Sequence, residues 1–65
     1  MTESYSVRPD NSIQYAQYAY TLYDAYALAK RMVYSDHGPK TAVIYRCTAE
    51  GSVYVKTEKR WSHRT

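Results

Sequence analysis

Residues 21–34, TLYDAYALAKRMVY, constrain the chain more tightly than any other stretch. The Thr21 hydroxyl can cap a helix, and Asp24 three residues on completes a capping box and complements the helix dipole. At about 100° per residue, Leu22, Ala25, Leu28, Ala29 and Met32 gather on one side of that helix. Tyr23, Asp24, Ala27, Lys30, Arg31 and Tyr34 gather on the other. The first side is a packing face. Asp36-His37-Gly38-Pro39 then ends the helix, with Gly38 expected in the left-handed conformation and Pro39 unable to continue the spiral.

The flanking segments read as strands. In residues 3–8 (ESYSVR), Tyr5 and Val7 alternate with Ser4, Ser6 and Arg8, and Pro9-Asp10-Asn11-Ser12 supplies a turn. Residues 13–20 (IQYAQYAY) read as the second strand of a hairpin, with Ile13, Tyr15, Gln17 and Ala19 on one face and Gln14, Ala16, Tyr18 and Tyr20 on the other. A rival reading has Ser12 capping one continuous helix over residues 13–34, favoured by the alanines. Such a helix would be apolar or aromatic nearly all round, which suits burial in a larger protein, and would leave the Thr21 cap without a purpose. The strand is preferred.

After the helix, residues 41–48 (TAVIYRCT) and 52–58 (SVYVKTE) flank Ala49-Glu50-Gly51, a loop that fits a type I turn with a glycine bulge. Pairing Thr48 with Ser52 sets Cys47 opposite Val53, Tyr45 opposite Val55 and Val43 opposite Thr57, all on one face. Ile44, Arg46, Tyr54 and Lys56 collect on the other. The expected architecture is α+β: a mostly antiparallel four-stranded sheet in the order β-β-α-β-β, with one helix packed on one face. Strand order does not follow from the pattern. If the helix covers Val43, Tyr45, Cys47, Val53 and Val55, the uncovered face presents Arg8, Tyr18, Tyr20, Arg46, Tyr54 and Lys56.

Size narrows the function. Sixty-five residues make one small domain, residues 1–65, with residues 62–65 expected to fray. The single cysteine, Cys47, has no internal disulfide partner, and no apolar N-terminal run reads as a signal peptide or membrane span. A soluble, cytoplasmic protein is expected. A net charge of +3 assists attraction to nucleic acid or to an acidic protein without choosing between them. The aromatic set is nine Tyr, one Trp and no Phe, so every ring carries a polar group that needs a partner when buried. Several rings therefore belong at boundaries or on the surface, where Tyr is a frequent binding residue.

Catalytic chemistry finds little footing. Cys47 points into the expected core, while His37 lies in a turn and His63 in the tail, so neither a nucleophile–base pair nor metal-ligand spacing emerges. Asp10, Asp24 and Asp36 are accounted for by a turn, a cap and a helix end. Gly38 and Gly51 do not build a phosphate loop. The sequence thus points away from an enzyme and requires no cofactor or metal. Two binding surfaces remain: Tyr18, Tyr20, Arg46, Tyr54 and Lys56 on the open sheet face, and Tyr23, Lys30 and Tyr34 on the outer side of the helix. The first would dock a protein through Tyr and Arg anchors. In the alternative, Arg8, Arg46, Tyr54 and Lys56 bind RNA or single-stranded DNA by stacking and phosphate contact. Exposed apolar surface also admits a homodimer.

The run Thr21-Leu22-x-Asp24-Ala25-x-x-Leu28-Ala29, set between two hairpins with Gly51 in the second turn and Trp61 just beyond, resembles small phage-encoded proteins. It is similar to anti-CRISPR proteins directed at type I systems and to the short phage inhibitor of bacterial RNA polymerase. The same helix pattern occurs in uncharacterised bacterial small-protein families. The resemblance covers about half the chain and implies a non-enzymatic inhibitor that occupies a functional surface of a host protein or nucleoprotein complex. It carries over no functional residue, and the Tyr content departs from it.

Overall fold

Helix α1 spans Leu22–Tyr34 in the computed structural model, which describes residues 4–60. Its start follows from the cap, because the Thr21 Oγ1 accepts the Asp24 backbone N–H at 3.0 Å and relieves one of the first-turn donors. Its end differs from expectation. Ser35, not Gly38, closes the helix, donating its hydroxyl to the Met32 carbonyl at 2.9 Å. Gly38 is required for another reason: a Cβ there would run into the Met32 carbonyl oxygen and the Ser35 hydroxyl.

Around the helix run β1 (Ser4–Pro9), β2 (Gln17–Ala19), β3 (Thr41–Thr48) and β4 (Gly51–Lys59). They form one antiparallel sheet in the order β2-β1-β3-β4, so the fold is α+β with the expected strand–strand–helix–strand–strand succession. The first turn works as its residues require. Asp10 and Asn11 take φ of 51° and 60°, the left-handed region that Asp and Asn tolerate, and the Ser12 N–H reaches the Pro9 carbonyl at 2.9 Å. The continuous helix is absent, but the second strand is shorter than residues 13–20. Ile13–Tyr15 forms a 3-10 turn, and only Gln17–Ala19 pairs with β1.

The second hairpin requires a correction that moves two candidate residues. Gly51 has the positive φ (134°) expected of its loop, yet the ladder closes at Thr48 opposite Gly51, one residue earlier than predicted. Arg46 then faces Val53 and Tyr45 faces Tyr54, until a bulge at Val55 absorbs one residue and restores Val43 opposite Thr57. Directly opposed residues share a face. The helix side of the sheet is therefore marked by Val7, Ala42 and Ile44, all fully buried with Ala25, Ala29 and Val33 of α1, while Val55 packs against the same cluster. Val43, Tyr45 and Cys47 lie on the opposite side, contrary to the expectation that they form the core.

The physical reason is bulk. Strand β3 is apolar at both parities, so alternation alone does not choose its inner face. To the one buried cluster α1 contributes Ala25 and Ala29 and the sheet contributes Ala19 and Ala42, so much of the inner layer is built of small residues. Tyr45 could fill that space only by burying its hydroxyl. On the outer side, that hydroxyl donates to Asn11 Oδ1 at 3.1 Å.

Candidate functional site

The side of the sheet away from α1 is built on one cross-strand row. Tyr18 of β2 opposes Ser6 of β1, Ser6 opposes Tyr45 of β3, and Tyr45 opposes Tyr54 of β4. Three phenols and one small residue thus traverse all four strands. Tyr18 and Tyr54 are 61% and 58% exposed, and no element of the described residues covers them. The Tyr45 and Tyr54 rings meet edge to face, with centroids 6.0 Å apart and planes at 80°. The Tyr54 hydroxyl is 2.9 Å from Thr57 Oγ1.

Arg8 crosses this row. Its guanidinium carbon lies 4.0 Å from the centroid of the Tyr45 ring, and its Nε donates to Ser6 Oγ at 3.2 Å. Arg8 opposes Val43 and Ser6 opposes Tyr45, so the stacked pair is a diagonal contact across β1 and β3. Ser6 and Val43, beside this pair, are only 1% and 8% exposed despite lying on the helix-free side. The open face therefore has a shallow side-chain layer of its own, made by Arg8 and Tyr45.

Arg46 and Lys56 do not belong to that face. The register sets both on the helix side, Arg46 with Tyr5 and Val53, and Lys56 with Ile44. The bulge at Val55 puts Lys56 and Tyr54 on opposite faces. The Lys56 ammonium stands 5.3 Å from the Tyr26 ring centroid of α1 and 3.5 Å from Glu58 Oε2. The nucleic-acid set Arg8, Arg46, Tyr54 and Lys56 is accordingly split, with Arg8 and Tyr54 on one side and the other two opposite. Tyr20 lies just beyond β2 and is exposed.

The helix-side candidates are partly brought together. Tyr23, Tyr26, Ala27 and Lys30 line a cleft of about 260 Å³. Tyr23 is 80% exposed, whereas Tyr34 lies at the far end of α1 and outside the cleft lining. Sequence reasoning missed Tyr26, which packs against the core edge and carries Lys56 over its ring. It also missed Ile13 and Tyr15, exposed before β2, and Leu22, which was expected on the packing face of α1 and is instead exposed. A signal for these was present: no charged residue occurs between Asp10 and Asp24.

Among the described residues, no group of three or more His, Cys, Asp or Glu side chains could hold a metal ion. Cys47 is half-buried on the open face, and His63 lies outside the described residues, as do Trp61 and the rest of residues 62–65, the stretch expected to fray. No described helix is long and apolar enough to cross a membrane. Comparisons with protein-family models, with curated proteins and with solved structures find no match.

Proposed function

We propose that the chain is a non-enzymatic docking protein that meets a larger partner through the helix-free face of its sheet. One observation carries this reading: among the described residues no element covers the helix-free sheet face, which presents Tyr18, Tyr45 and Tyr54 in one row. Tyr and Arg supply much of the binding energy at protein interfaces because they bury large area with few torsions and retain a hydrogen-bonding end. The sequence resemblance supports the more specific form, an inhibitor that blocks a functional surface of a host complex, such as a CRISPR effector or a polymerase, in the bacterial cytoplasm. Nucleic-acid binding is the weaker reading, since Arg46 and Lys56 sit on the helix side and leave the open face few phosphate ligands.

A photo-crosslinking side chain placed at Tyr18 or Tyr54, with Tyr23 as the helix-side control, tests the proposal in a bacterial lysate. The sheet positions are expected to yield a discrete protein adduct that excess unmodified protein competes away. Adducts with nucleic acid alone, or protein adducts from Tyr23 alone, would refute it.

A further inference from the structure

We infer that Arg8 is a preformed carboxylate anchor at the centre of the open face, and that the partner presents an acidic side chain there. This deepens the docking proposal and rests on it. The guanidinium is held by three of its own contacts: one face on the Tyr45 ring, Nε on Ser6 Oγ, and Nη2 within 3.5 Å of Ser52 Oγ. Tyr45 is itself restrained by its bond to Asn11 and its edge contact with Tyr54. A long side chain that normally loses much rotamer entropy on binding has therefore already lost it.

What the anchor lacks is a counter-charge. Arg8 makes no ion pair among the described residues; the carboxylate nearest a described cation, Glu58, serves Lys56 on the other side of the sheet. Among the described residues Nη1 donates to nothing, and Nη2 has a second N–H beyond its long contact with Ser52. A planar fork with open donors matches a carboxylate better than a single ammonium does. Tyr18 and Tyr54, exposed on either side, would bury the apolar stem of the incoming residue. A phosphate chain fits less well. Among the described residues, Lys59 at the margin of the same face is the only other cation the register places there, whereas phosphate tracking needs several.

The test uses the whole protein labelled with nitrogen-15, titrated with a blocked peptide alternating glutamate and leucine. Its glutamine counterpart and a single-stranded oligothymidylate serve as parallel probes. The glutamate peptide is expected to shift the Arg8 Nε–H resonance and the Ser6 and Tyr45 amides saturably, and the glutamine peptide to leave them in place. Arg8→Lys, which keeps the charge but not the fork, should weaken binding about tenfold, and Arg8→Gln should abolish the shifts at Ser6 and Tyr45. Thermal melts of both variants verify that the sheet is intact. The inference is overturned if the peptides bind alike, if Arg8→Gln binds as the parent does, if shifts centre on Tyr23 and Lys30, or if only the oligonucleotide moves Arg8. It is also overturned if no probe moves Arg8 while the Tyr18 and Tyr54 crosslinks still form, a result that leaves the docking proposal standing.

Discussion

Replacing Ile44 by Ala tests which face of β3 the helix covers. Ile44 is fully buried, in a cluster with Val7, Ala19, Ala25, Ala29, Val33 and Ala42. Truncation removes three carbons, about 2.4 kcal/mol at about 0.8 kcal/mol per methylene. Incomplete collapse of the space adds a cavity term, bringing the loss to roughly 3–4 kcal/mol. A domain of this size has about 3–10 kcal/mol to lose at about 0.05–0.15 kcal/mol per residue, so the variant should be marginal, with its Tm lowered by about 12–30 °C. Urea unfolding followed by far-ultraviolet circular dichroism measures it. Ile44→Val, expected to cost about 1 kcal/mol, keeps the comparison available if the alanine variant does not fold. Cys47→Ser is the contrasting substitution: half-buried on the open face, it should cost less than about 1 kcal/mol. Were Cys47→Ser the more damaging and Ile44→Val nearly neutral, the helix would lie over Val43, Tyr45 and Cys47, and the assignment of faces would be wrong.

Local geometry sets the expected outcome at four further positions. Thr21→Ala leaves the Asp24 N–H without its acceptor and should destabilise by about 1 kcal/mol in the same urea assay, with Thr21→Ser largely restoring stability. Gly51→Ala forces a Cβ onto φ of 134° in open space, and Gly38→Ala drives one into the Met32 carbonyl. Each should cost about 1–3 kcal/mol, read from the urea midpoint. Tyr45→Phe removes the bond to Asn11 but keeps the ring beneath Arg8, so it should cost about 0.5–1.5 kcal/mol while preserving the Arg8 Nε–H chemical shift. Tyr45→Ala should move that resonance toward the value of a solvated arginine.

Much of the fold was legible because its cues are local. Thr21 with Asp24, the Pro9–Ser12 turn and Gly51 each act within a few residues, and each marks an element boundary or loop that the structure contains. The shortened β2 was less legible, since Ile13, Gln14 and Tyr15 alternate like a strand yet fold into a 3-10 turn before the pairing segment. Of the candidate site, Arg8, Tyr18 and Tyr54 were placed on the correct face. Arg46 and Lys56 were not, because β3 offers apolar residues at both parities and its Ile44 face, which carries both of them, is the covered one; the bulge at Val55, with no glycine or proline to announce it, leaves Tyr54 alone on the other.

By itself the sequence determined where the helix begins, where the chain reverses, and that its many phenols could not all be interior. Those outcomes depend on capping, on backbone preference and on the cost of desolvating a hydroxyl, which neighbouring residues decide. Tertiary structure alone decided which side of β3 faces inward, and hence that Arg8 rests on Tyr45 while Lys56 turns toward Tyr26. That choice required α1 and the sheet to meet, since the cluster holding Ala25, Ala29, Ala19 and Ala42 takes Ile44 whole, whereas Tyr45 there would bury a hydroxyl away from its Asn11 acceptor.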